Sequence, residues 1–377
     1  MSQRVAVNPE LLDWALMRAG KRAEMLAGKF PRLAEWLRGE LQPTLKQLEA
    51  FATATHTTIG LLFLPEPPDE PLPIPDFRTI PEAALQRPSA DLLDTIYLCQ
   101  QRQAWYQEYQ RIQGAGPLPF IGAVSRDDGV VEVARRIAQV IDFSTAERQT
   151  LPNWSEALRR FIAQVEESGV VGSNTHRPLN PQEFRGFALA DPLAPLIFIN
   201  GKDTKAAQMF TLAHELAHLW LGQSGVSDAQ AASLPDEATE HWCNAVAAEL
   251  LAPLAQVRES YRPGEALDEA VQRLARQFKV STLVILRRLH DLGVIDRETL
   301  GAIYPEELER LKALSQTTGG RGNYYNNLGA RVSKRFARAL VASTLEGQTP
   351  FTEAFRMLGM RKSATFYEEA RRLGLHG

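Results

Sequence analysis

Thr211-Leu-Ala-His-Glu-Leu-Ala-His-Leu-Trp-Leu-Gly222 carries the pattern H-E-x-x-H from His214 to His218. On a helix, residues four apart lie one turn above one another, so two imidazoles point the same way and can hold one metal ion. Glu215 is turned by about 100° from His214, close enough to draw a proton from water at that metal. Leu212, Leu216, Leu219 and Trp220 already give the helix an apolar face. An ordinary amphipathic helix with two incidental histidines would have to bury three further polar groups without partners, at a cost of several kcal/mol. The stretch therefore predicts a metal-binding helix.

A catalytic zinc site takes three protein ligands and keeps one position for water. Glu240-His-Trp-Cys-Asn-Ala-Val-Ala-Ala-Glu-Leu-Leu-Ala-Pro253 is rich in Ala and Leu, lacks Gly and stops at proline, so it reads as a second helix. Glu240 and Asn244 share one face of it, and Glu240 is the best-placed third ligand. Glu237, Glu249 and His241 are its rivals, although Glu249 also reads as a solvent-side charge at the helix exit. His241, about 100° round from Glu240, and Asn244 are candidates to support the ligands instead of binding. A structural zinc would need a closed set of four ligands, and Cys243 is the residue that could complete one.

These two stretches, Thr211 to Gly222 and then Glu240-x-x-Cys-Asn244-x-x-Ala-Ala-Glu-Leu-Leu-x-Pro253, resemble the ImmA/IrrE family of zinc metallopeptidases. The family commonly reads F-T-L-A-H-E-L-G-H and then E-x-x-A-N-x-F-A-A-x-L-L-x-P. The likeness is strong from about Phe184 to Pro253 and looser to about residue 300. It implies Zn2+ held by His214, His218 and Glu240 in the gluzincin manner, with Glu215 as general base. It also implies a narrow substrate, one loop of a partner repressor or antitoxin, cut in response to stress. Cys243 stands where alanine is usual and Val246 where phenylalanine is usual; both changes are apolar and leave the ligands untouched.

Upstream, residues 9–18, 21–30, 31–38, 44–52 and 59–63 read as five short helices, with Pro9 in a first turn and Thr44 and Gln47 forming a capping box. Their succession resembles an Xre-type helix-turn-helix domain, although Gly28-Lys-Phe-Pro replaces the usual Gly-x-Ser/Thr turn. Lys29, Arg32, Arg38 and Lys46 are the candidate DNA contacts. The alternative is a degenerate helix-turn-helix fold used for protein contacts. Pro65 to Pro75 holds six prolines in eleven residues and reads as an extended, semi-rigid linker.

Helices are expected over 89–112, 128–141 and 154–168, and strands over 187–189 and 194–200, the second ending in an Asn200-Gly201 turn. A strand left exposed at the sheet edge would bind substrate as an added strand. The metal helix spans 202–221 with Asp203 as its N-cap. Residues 226–236 lack periodicity and read as a loop or substrate lid. Helices follow over 267–278 and 281–293, with Ser281 as N-cap. Arg287, Arg288 and His290 give the second of these a solvated basic face. A Gly/Tyr/Asn loop at 319–327 precedes helices over 330–346, 351–357 and 366–373. This tail resembles the end of longer Xre–ImmA/IrrE fusions, and its basic helix at Arg331 to Arg338 reads either as a partner or nucleic-acid grip or as a plain helical cap.

The expected architecture is α+β and mainly helical. It places a helix-turn-helix bundle at 1–64, the proline-rich linker at 65–85, a minimal gluzincin-like peptidase domain with a small β-sheet at 86–300, and a helical module at 301–377. Net charge is −3, so no whole-molecule basic field draws the chain to nucleic acid or membrane. Two cysteines, Cys99 and Cys243, make no disulfide framework and fit a reducing cytoplasm. No apolar run is long enough for a membrane span. A non-enzymatic Xre-type regulator or antitoxin, whose peptidase-like domain binds a toxin and whose first domain binds operator DNA, is the rival reading. Retention of Glu215 favours the enzyme.

Overall fold

The computed structural model describes residues 4–76, 88–173, 179–181, 183–227, 238–317 and 332–375. It divides into two compact units, one of Met1–Pro73 and Ile80–Tyr97, the other of Ile74–Thr79 and Leu98–Gly377. In the first unit, α1 (Pro9–Arg18), α2 (Ala23–Leu26), α3 (Leu33–Leu37), α4 (Leu45–Ala54) and a 3-10 turn at Ile59–Phe63 enclose Leu11, Trp14, Phe30, Trp36, Leu48 and Phe51. The Thr44–Gln47 capping box forms as expected. The helix expected over 21–30 is only one turn long. Phe30 N–H donates to Leu26 O, and the Phe30 ring turns into the core against Trp36 and Phe51. The proline-rich segment is tied down, since Arg18 Nε donates to Glu70 at 2.7 Å and Asn8 Nδ2 to Pro65 O at 3.0 Å.

Besides Ile74–Thr79, the second unit takes in α5 (Ala90–Ile112) from Leu98 and continues through α6 (Val130–Val140), α7 (Thr145–Thr150) and α8 (Trp154–Glu167). The strands β1 (Val171–Ser173), β2 (Gly186–Leu189) and β3 (Leu196–Ile199) lead into α9 (Lys205–Leu221), the metal helix, and then β4 (Gly225–Ser227). The helices α10 (Ala238–Leu251), α11 (Leu254–Ser260), α12 (Leu267–Phe278), α13 (Thr282–Asp291), α14 (Arg297–Thr317), α15 (Lys334–Leu345), α16 (Phe351–Leu358) and α17 (Ser363–Arg372) complete it. The fold is α+β and mainly helical. Among the described residues the sheet has four strands in the order β1-β3-β2-β4, with β1 parallel to β3 and the other pairs antiparallel.

Several expectations are corrected. The N-cap of α9 is Thr204, whose hydroxyl accepts from Ala207 N–H. Asp203 instead accepts from Thr204 N–H and pairs with Arg185 at 3.3 Å. Part of the stretch read as a loop, 226–236, is strand β4, while residues 228–236 lie outside the described residues. So do the 319–327 loop and Arg331. Among the described residues, each edge of the sheet is bridged at one point by a further segment. Val226 N–H on β4 donates to Pro75 O at 2.9 Å, and Asp76 bridges Val226 in parallel. At the far edge Ser333 N–H donates to Gly172 O at 2.9 Å.

α9 packs on β2 and β3 with one flank, and on α8 and α10 with others, so nearly its whole circumference is buried. Gly222 ends it at φ 70°, a left-handed conformation suited to glycine. Any Cβ there would approach Gly122 Cα to 3.0 Å. The basic face expected on α13 is only partly solvated. Arg288 is buried and pairs with Glu249 of α10 at 3.0 Å. Glu249 is correspondingly buried and not solvent-side, and its carboxylate also accepts from Leu254 N–H at the start of α11. Arg288→Ala strands that carboxylate without its cation, so it should destabilise the fold by about 3–5 kcal/mol. Arg287→Ala should change little. Denaturant unfolding followed by tryptophan fluorescence measures both.

Candidate metal centre

The Ala- and Leu-rich sequence of α9 makes a regular helix, and its i,i+4 spacing puts His214 and His218 one turn apart with ring centroids 4.8 Å apart. Their Nε2 atoms face each other at 3.0 Å. α10 packs against α9 and brings in Glu240, whose Oε2 lies 3.2 Å from His214 Nε2 and whose Oε1 lies 2.8 Å from His218 Nε2. One ligand atom from each of the three residues lies within 4.8 Å of the other two. Two neutral imidazole nitrogens and a carboxylate around one point are the donor set of a three-ligand zinc site.

Asn244, one turn beyond Glu240, places its Oδ1 2.9 Å from His214 Nδ1. Asn244 accepts there from Nδ1–H, which fixes the tautomer and leaves the Nε2 lone pair facing inward. The residues present thus fit zinc. Among the rivals, His241 is exposed on α10, Glu249 is engaged by Arg288, and Glu237 lies outside the described residues. Cys243 is buried on α10 but does not belong to the metal-ligand group formed among the described residues.

His214, Glu215 and His218 are fully buried, and Glu240 is 2% exposed. Desolvation and mutual interaction therefore both shift their charges. Burial pushes Glu215 up to about 8, more than the nearby His214 and the Ser227 hydroxyl can offset. Burial alone would raise Glu240 as well, but His214 and then His218 outweigh it and hold the carboxyl at about 2. His214 is raised, because Glu240 outweighs its desolvation. His218 is lowered by burial.

Two neighbours of Glu215 escaped the sequence reading. Ser227 on β4 donates its hydroxyl to Glu215 Oε1. Gly186 on β2, paired with Ser227 in the ladder, has no room for a side chain. A Cβ there would lie 2.5 Å from Thr211 Cγ2, 2.9 Å from Phe198 O and 3.0 Å from Glu215 Oε1. Neither residue stands in a motif, and β4 is too short to show a strand period. Of the candidate DNA contacts in the first unit, Arg32 and Arg38 pair with Glu35 and Glu40 at 2.7 Å each. Lys29 and Lys46 are exposed.

The fold and the donor set define an α+β protein with a two-helix His-His-Glu group, placed to hold a metal ion, beside a small sheet. A peptidase family model, described as the IrrE N-terminal-like domain, matches residues 164–290. That span takes in the sheet, both ligand helices and all four of His214, Glu215, His218 and Glu240, and it supports the ImmA/IrrE resemblance over about a third of the chain. A second model, for a domain of unknown function, matches residues 332–372, the span of α15 to α17. No curated protein matches the chain.

The geometry separates the ligands from their neighbours. Glu240→Ala should remove most zinc from the protein, whereas Glu249→Ala should keep it. Asn244→Ala should weaken zinc by about 10- to 100-fold, the usual effect of losing an orienting partner. Elemental analysis and a competitive chelator titration measure these outcomes.

Proposed function

We propose that this chain is a zinc-dependent metalloendopeptidase that cuts a specific partner protein. The observation that carries the reading is the convergence of His214, His218 and Glu240, with Glu215 beside them, in one buried cluster. Zinc at the three ligands would supply a Lewis acid that acidifies water and polarises a peptide carbonyl. Glu215 would take the water proton and return it to the leaving amine as the peptide bond breaks. Its raised affinity for protons suits both halves of that transfer. Asn244 orients His214, and Glu240 stays ionised as a ligand across the working pH range.

The family resemblance favours a repressor or antitoxin as the partner, within a stress-response or toxin–antitoxin system, and an Xre-type role for the N-terminal helices in reading operator DNA. With Arg32 and Arg38 internally paired, Lys29 and Lys46 would carry most of that contact to phosphate. A second reading is a non-enzymatic regulator whose peptidase-like domain binds a toxin. Burial of the whole centre, and Pro75 and Asp76 bonded along β4, favour it.

Glu215→Gln discriminates between the two. The substitution is nearly isosteric, so zinc content and fold should be retained while cleavage of the partner is lost. The measurement is the fate of candidate repressor and antitoxin proteins in cells carrying either form. A Glu215→Gln chain that preserves the wild-type phenotype would establish the regulator in place of the enzyme.

A further inference from the structure

Glu215 has two carboxylate oxygens in different surroundings. Oε1 accepts a hydrogen bond from Ser227 Oγ and faces the bare Cα of Gly186. Oε2 is buried and has no hydrogen-bond partner among the described residues. Ser227 is itself fully buried. Its backbone is held independently of its hydroxyl, through the ladder partner Gly186 and through Arg185 N–H donating to Ser227 O at 3.3 Å. The hydroxyl is therefore not needed to form β4.

We propose that Ser227 is a positioning residue for the general base: it clamps Oε1 of Glu215 and thereby makes Oε2 the oxygen that exchanges protons at the metal centre. This rests on the peptidase reading above. A buried carboxylate with one oxygen tethered cannot rotate freely about its terminal torsion, so the free lone pairs stay turned one way. Gly186 contributes by absence, because any side chain there would occupy the space of Oε1 and Thr211. Two adjacent strands thus supply a donor and a gap for the same oxygen. Without the Ser227 hydroxyl, the carboxylate loses its one hydrogen bond among the described residues and can turn away from the centre.

The test uses the full zinc-loaded chain and acetohydroxamate. A hydroxamate chelates zinc and shares its acidic hydroxyl proton with the neighbouring carboxylate, so its affinity reports where the free oxygen of that carboxylate lies. Zinc content is measured alongside, because a general structural failure would lower it. Glu215→Gln should weaken acetohydroxamate about tenfold or more, and Ser227→Ala about threefold to tenfold, with zinc content unchanged. Ser227→Thr, which keeps the hydroxyl, should restore most of the affinity. If Ser227→Ala does not fold, Ser227→Cys, of similar size with a weaker donor, is read in its place and should show the same weakening. Loss of affinity in Glu215→Gln with wild-type affinity in the Ser227 variants overturns the clamp and leaves the peptidase reading standing. Wild-type affinity in Glu215→Gln overturns the assignment of the base, and the clamp with it.

Discussion

Two helix faces meet, and each carries a pair of residues one turn apart: His214 and His218 on α9, Glu240 and Asn244 on α10. The metal centre depends on that contact. Glu240 reaches both imidazoles from across it, and Asn244 fixes the tautomer of His214. A rotation of α10 by one residue would present His241 instead, which in the structure points to solvent. The register of α10 is held by the apolar packing of Trp242, Cys243, Val246 and Ala247 and by the buried Glu249–Arg288 pair at its far end. The polar centre and the apolar core are therefore set by the same helix–helix contact.

Burial then shapes the chemistry. His214, Glu215, His218 and Glu240 are out of water, so their proton affinities are decided by neighbours and desolvation rather than by solvent. Glu240, facing two imidazoles, stays ionised, whereas Glu215, facing a strand hydroxyl and a glycine, holds its proton more firmly. Two carboxylates beside the same histidines are driven apart in proton affinity, as the proposed tasks of ligand and base require.

The meeting of His214, His218 and Glu240 was legible in the sequence because helical spacing converts directly into direction. Long helices such as α5, α8 and α12 were legible for the same reason, and the capping box at Thr44 and the N-cap at Ser281 marked the starts of α4 and α13 locally. What escaped depends on contacts between distant segments. β1 and β4 have three residues each and carry no period. The Ser227 clamp and the gap at Gly186 exist only once β2 and β4 pair beside α9. Arg288 looked solvated because its partner Glu249 lies 39 residues earlier. The pairing of Pro75 and Asp76 with β4 was not legible because they lie about 150 residues earlier in the chain, and local patterns do not encode long-range pairings.

The central claim is that a metal sits between α9 and α10 on two imidazoles and one carboxylate, with no thiolate. X-ray absorption at the zinc edge of the full chain tests it most directly. The account predicts two imidazole nitrogens at about 2.0–2.1 Å with oxygen at about 2.0–2.2 Å and no sulfur shell. A sulfur scatterer at about 2.3 Å would place Cys243 on the metal and contradict a three-ligand His-His-Glu centre.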